Sequence, residues 1–172
     1  QRQMCIRDRG LLSLDVQGYL REVQGEEVLA VDWTEKEEAL KYIHILKANE
    51  HEMEMLTQCV DPYDAALKLA AWGVKEVLLT LGDKGSLIYV DNRFYEIPAY
   101  LVENVADATG CGDTYMAGYL YMRNKGASYQ EAGCFAAAMC SVKLQSYGPF
   151  SGTEEKVLEL IKKNMVIPSL SE

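Results

Sequence analysis

Asp107-Ala108-Thr109-Gly110-Cys111-Gly112-Asp113-Thr114-Tyr115-Met116-Ala117-Gly118 is the stretch on which the reading of this chain turns. Two glycines flanking a small residue let the backbone bend sharply, and the following residues read as a helix from about Asp113 to Asn124, stopped by Gly126. Amides around Gly110, Cys111 and Gly112 are expected to converge where that helix begins. Such a bend forms an anion site, because the first amides of a helix lack intrahelical partners and the helix dipole favours negative charge there. Asp113 stands just behind it, where a carboxylate is stabilised as an anion. A plain turn, with Asp113 merely capping its helix, fits the same residues, and glycines before a helix are weak evidence alone. The lysine and hydroxyl residue of a Walker A loop are missing, and G-x-G-x-x-G is not matched.

Working outward, short apolar runs alternate with segments of helical period. Residues 11–15 and 28–32 read as strands, and Thr34 as the N-cap of a helix over residues 35–41. Residues 42–46 form another apolar run, and Asn49 stands where a helix would begin. Asp61-Pro62 places a capping side chain before a proline at the first helical position, and Gly73 ends that helix after Trp72. Residues 76–81 suit a doubly buried strand, and residues 86–90 and 93–97 form a hairpin about Asp91-Asn92. Further helices are expected over residues 128–145 and 153–163. Ala132, Ala136, Ala137 and Ala138 in the first of these permit close helix packing. The alternation predicts an α/β fold in three layers, with a mainly parallel sheet and an antiparallel edge.

The chain has 172 residues, enough for one domain with a real core and no need of metal or disulfide staples. Its 17 basic and 26 acidic residues give a net charge of -9, which repels nucleic-acid backbones and anionic lipid surfaces. A phosphorylated ligand must therefore be held by local amides, a helix N-terminus or a divalent cation. Five cysteines without a C-x-x-C, beside two histidines, make neither a disulfide framework nor a zinc site, and imply a reducing, cytoplasmic setting. No run of 18 apolar residues is present to span a membrane. Residues 1–9 are polar and basic, join the apolar segment abruptly, and read as a non-native or disordered leader ahead of a domain over residues 10–172.

The segment from Asp107 to Gly118 resembles the D-T-x-G-A-G-D motif of the ribokinase-like, or PfkB, carbohydrate kinases. Asp107, Thr109, Gly110, Gly112, Asp113, Ala117 and Gly118 fall in register, while Ala108 and Cys111 depart from the usual residues. Lys47-Ala48-Asn49-Glu50-His51-Glu52 is similar to the family's N-x-x-E motif, and Thr80-Leu81-Gly82-Asp83-Lys84-Gly85 to its T-x-G-x-x-G loop. Ser13-Leu14-Asp15-Val16-Gln17-Gly18-Tyr19-Leu20-Arg21 resembles a segment common in its sugar kinases.

The resemblance implies a ribokinase-like, Rossmann-like fold that is incomplete at its N-terminus, and transfer of the γ-phosphoryl of ATP to a sugar or polyol hydroxyl. It assigns Asp113 as general base, amides of Gly110, Cys111 and Gly112 to the moving phosphoryl, and Thr80, Gly82, Gly85, Asp107, Thr109 and Asn49 to the nucleotide. Asn49 and Glu52 would act on Mg2+ through water, both being on one helical face. The alternative is a solvated face behind an Asn49 cap. Gly148 would line a carbonyl site for a monovalent cation such as K+. The expected partner is a small-molecule acceptor, with a homodimer left open. A nucleoside or vitamin-precursor kinase and a non-catalytic nucleotide-binding pseudokinase are the alternatives. These 172 residues are expected to lack most acceptor-binding groups, and so to show little activity alone.

Overall fold

The computed structural model describes residues 10–102 and 104–165, so the expectation for residues 1–9 lies outside the described residues. The chain divides into two compact units. One comprises the residues up to Leu81 together with Leu87–Phe94, the other Gly82–Ser86 and the residues from Tyr95 onward.

The first unit opens with strands β1 (Ser13–Asp15), β2 (Arg21–Gln24) and β3 (Glu27–Ala30), then helix α1 (Lys36–Leu40) and strand β4 (Ile45–Asn49). Helices α2 (Glu50–Thr57) and α3 (Pro62–Ala71) and strand β5 (Glu76–Thr80) follow. After them come β6 (Ser86–Val90) and β7 (Arg93–Ile97). The sheet order is β1-β4-β5-β6-β7. The first pairs are parallel, with Ser13 opposite Ile45 and Asn49 opposite Thr80. Ile45, Leu46, Ala48, Val77, Leu78 and Leu79 are all buried, as strands covered on both faces require. The short link from β5 to β6 cannot carry a parallel crossover, so the chain turns back. Asp91 and Asn92, both left-handed at φ 51° and 59°, then make the two-residue turn into β7. The parallel sheet with an antiparallel edge is thus present. Asp61 accepts the amides of Tyr63 and Asp64 at the head of α3, as its position before Pro62 predicts.

Two local expectations fail, and one strand was not foreseen. Thr34 does not cap α1: its hydroxyl donates to the Glu35 carboxylate at 2.8 Å, and the helix starts at Lys36 with no side-chain cap. The strand expected over residues 28–32 ends at Ala30 and is not in the main sheet. It pairs with β2 as a separate antiparallel ribbon, Arg21 opposite Ala30, about a left-handed Gly25. Strand β2 was not foreseen, because Arg21-Glu22-Val23-Gln24 has no buried face to impose alternation and every position is exposed.

The second unit carries helices α4 (Cys111–Asn124), α5 (Tyr129–Leu144) and α6 (Glu154–Met165). Helix α4 begins two residues before the expected Asp113 and is stopped by Gly126 at φ 84°. Ser128 and Glu131 form a capping box at the head of α5. Close packing of α4 on α5 depends on Gly118, where a Cβ would lie 3.1 Å from the Ala136 Cα and 3.0 Å from the Met139 sulfur. Ala132, Ala136, Ala137 and Ala138 are buried and serve as core. Among the described residues, no helix is long and apolar enough to cross a membrane.

Candidate active site

The turn that enters α4 is anchored from behind by a residue the sequence reading did not single out. Lys143, on the last turn of α5, is fully buried, and its Nζ donates to the Asp107 carbonyl at 2.7 Å and to Asp107 Oδ2 at 3.1 Å. Asp107 Oδ1 accepts the Thr109 amide at 2.9 Å. The Thr109 bonds first, and then Lys143, hold the Asp107 carboxyl down at about 2. The Ala106 amide donates to the Leu144 carbonyl at 2.7 Å, completing the tie to α5. Asp107 and Thr109, expected to touch nucleotide, thus brace one another within the turn.

Gly110 then takes φ 78°, a left-handed conformation that costs glycine little, and occupies the N-cap position without a side-chain cap. The Cys111 amide donates to the Ala108 carbonyl at 3.2 Å. It is therefore spent inside the turn, which corrects the expectation that it joins a converging set. The Thr114 amide and hydroxyl both donate to the Gly110 carbonyl, at 2.9 and 2.8 Å. Among the described residues, no acceptor engages the amides of Gly112 and Asp113. Asp113, third residue of α4, is exposed beside them. An uncapped helix start with two open amides and an adjacent carboxylate can bind an anion and accept a proton from its reaction partner.

Gly82 and Gly85 are left-handed, at φ 62° and 96°. A Cβ on Gly85 would come within 2.0 Å of the Ile97 carbonyl oxygen, so packing within this unit already requires glycine there. Gly148, at φ 79°, lies in the exposed turn after α5.

Asn49, Glu52 and Thr80 belong to the first unit. Asn49 ends β4 and caps α2: its Oδ1 accepts the Glu52 amide at 2.9 Å, while Glu52 Oε2 accepts the Asn49 amide at 2.8 Å. Glu52 is only 3% exposed, which rules out a solvated face. Behind it lies Lys47, also 3% exposed, with Nζ 2.8 Å from Asp15 Oδ2 and 3.8 Å from Glu52 Oε2. Lysine is rarely buried unless paired, so Asp15 and Glu52 together make this placement tolerable. Glu52, His51, Met55, Leu20 and Arg21 line a cleft of about 370 Å³ against the β3 residues Val28, Leu29 and Ala30. Thr80, opposite Asn49, donates its hydroxyl to the Ala48 carbonyl at 3.5 Å.

Lys47 and Lys143 were both missed. Each interrupts an apolar run, Ile45-Leu46-Lys47-Ala48 and Val142-Lys143-Leu144, and a charge among apolar neighbours is the feature that could have revealed them.

Residues 23–156 match the model of the pfkB family carbohydrate kinases, and the chain belongs to that family. It is similar to a cytidine kinase of Thermococcus kodakarensis, 35% identical over 118 residues, which are 67% of this chain and 42% of that protein. Among solved structures it resembles a pyrophosphate-dependent myo-inositol-1 kinase converted into a myo-inositol-3 kinase. That match has 32% identity and TM-score 0.79, covering 94% of this chain and 57% of the other. Arabidopsis thaliana ribokinase complexed with ribose and ATP matches with 30% identity and TM-score 0.73, covering 89% of this chain and 48% of the other. The fold is the α/β ribokinase fold. The chain spans about half or less of the length of these relatives.

Proposed function

We propose that this chain carries the phosphoryl-transfer half of a ribokinase-like kinase acting on a hydroxyl of a sugar or sugar-like polyol. The observation that carries the reading is the uncapped start of α4, where open amides of Gly112 and Asp113 adjoin the exposed Asp113 carboxylate. Asp113 accepts the proton of the attacking hydroxyl. The two amides, with the dipole of α4 behind them, stabilise charge on the phosphoryl in flight. Lys143 and Asp107 hold the turn so that these groups need not reorganise when charge develops. Thr80, Gly82 and Gly85 lie along the donor, and the Gly148 turn is the candidate for a monovalent cation such as K+.

The donor in this reading is ATP with Mg2+. Magnesium keeps most of its waters and uses one or two carboxylates together with substrate phosphates. Glu52 fits such an outer role, since its capping box commits Oε2 and the residue borders the cleft. Among the described residues no three His, Cys, Asp or Glu side chains gather into a cage. Bound there, the ion would offset charge on the donor phosphates. The cysteine pattern supports a cytoplasmic setting.

Two finer readings have specific support. Similarity to the pyrophosphate-dependent kinase favours pyrophosphate as an alternative donor, and similarity to the cytidine kinase favours a nucleoside acceptor. The deciding experiment incubates the longest natural form of the protein with Mg2+, either ATP or pyrophosphate, and a panel of sugars, inositols and nucleosides. Phosphorylation of a panel member identifies donor and acceptor together. Tight donor binding with no product from any acceptor would replace the kinase reading by that of a nucleotide-binding module.

A further inference from the structure

We propose that Cys111 and Cys140 are a reversible redox pair that closes a disulfide across the start of α4 and switches the donor cradle off. The cradle's function rests on the kinase reading above, but formation of the disulfide does not.

Cys111 is the first residue of α4, and Cys140 lies on the neighbouring helix α5. The Cys140 thiol donates to the Cys111 carbonyl at 3.2 Å, which sets the two residues side by side. Both residues are half-buried and neither is in a disulfide, so a small oxidant can reach them. The groups facing Cys111 set its reactivity. The hydrogen bond from Cys140 and the charge of Lys143 draw the thiol down to about 7, against burial and the Asp107 carboxylate. An attacking thiol is most effective when it ionises near ambient pH, and a helix N-terminus favours the thiolate. The other described cysteines lack this arrangement: Cys59 bonds to Thr57, and Cys134 is buried beside Gln130.

The oxidant is a hydroperoxide. The Cys111 thiolate attacks the peroxide O–O bond and becomes a sulfenic acid, and the departing oxygen leaves as water after protonation. The Cys140 thiol then attacks the Cys111 sulfur, expelling a second water and leaving the S–S bond. Two thiols and one hydrogen peroxide thus give one disulfide and two waters, and a dithiol reverses the change. Reversible pairs of this kind are the usual form of disulfide in reducing compartments. The bond would tie the turn bearing the Gly112 and Asp113 amides to α5 at a second point beyond Lys143. Drawing the two sulfurs to bonding distance would pull that turn away from the position in which Lys143 and Asp107 hold it, and so move the Gly112 and Asp113 amides off the phosphoryl group.

Treating the chain with equimolar hydrogen peroxide and mapping peptides by mass spectrometry should yield a Cys111–Cys140 link that dithiothreitol removes. Cys140→Ser should abolish the link and leave basal turnover unchanged. Oxidation should lower turnover of the longest natural form about 10-fold, reversibly, and not that of the Cys140→Ser variant. A link between other cysteines, or sulfinic acid at Cys111 with no link, overturns the pair. A correct link with unchanged turnover overturns the switch. Absence of turnover before oxidation would instead count against the kinase reading and leave the link to be judged by mass alone.

Discussion

Helices α2 and α4 begin in opposite states although both were read as parts of one phosphate-handling centre. At α2 every feature is closed: Asn49 and Glu52 exchange bonds in a capping box, Glu52 is buried, and Lys47 and Asp15 complete a paired cluster behind it. At α4 the N-cap is a left-handed glycine, no side chain caps the helix, and an exposed aspartate stands at the third position. The heads of α3 and α5 are capped in the ordinary way, by Asp61 and Ser128. With glycine in place of a capping side chain, α4 forgoes only about 0.3 kcal/mol, and an anion at that start would supply the missing acceptor. The start of α2 is closed by its own side chains, whereas on the proposed reading the start of α4 is closed by a ligand.

The largest effect that would sharpen this contrast is at Asp113. Asp113→Asn should reduce phosphoryl transfer by about 10²–10⁴-fold while scarcely moving the melting temperature, since the side chain is exposed. Unaltered turnover would remove the base from the reading. Glu52→Ala should do the reverse in kind, lowering unfolding free energy by about 3 kcal/mol in urea titrations, because it breaks the box and leaves buried Lys47 with Asp15 alone. A loss below about 0.5 kcal/mol would show that the closed state of α2 is not structural. Asn49→Ala should cost less, about 1 kcal/mol by the same measurement, with Asn49→Ser recovering most of it.

The smallest effect is a pH limb at the α4 turn. The Asp107 carboxyl sits at about 2 when folded against an ordinary 3.8. Because the folded value is depressed, its contribution to stability is complete above about pH 4 and is lost as pH falls from about 4 to 2. Thr109 is the main cause and Lys143 a lesser one, so Lys143→Met should shallow this acid limb in thermal melts without abolishing it. An unchanged limb would mean that Lys143 does not hold the carboxylate.

Much of this arrangement is legible in the chain. Gly110, Gly112 and Asp113 announce a bend into a helix, Asp61-Pro62 a capped start, and Asp91-Asn92 a hairpin, because each depends on local backbone conformation. The N-x-x-E spacing of Asn49 and Glu52 is also the spacing of a capping box, and only the reciprocal hydrogen bonds of the folded chain show that the box is formed. The ribbon of β2 and β3 escaped notice because its strands bury no face, and alternation is imprinted only where one face is hidden. Lys47 and Lys143 escaped because a lysine's partner is set by which strand or helix passes beside it, and Asp15 and Asp107 are 32 and 36 residues away.

By itself the sequence determined the family, the α/β class, the glycine bend and the placing of an aspartate at the head of a helix. These follow from short-range rules: glycine's access to left-handed backbone, the unsatisfied amides of a helix start, and the apolar runs of buried strands. Tertiary structure decided which amides stay open, which carboxylate is buried, and which lysine braces which turn. Those outcomes depend on desolvation and on partners distant in the chain, and a hydrogen bond spent within a turn, as at Cys111, is fixed only once the backbone has folded around it.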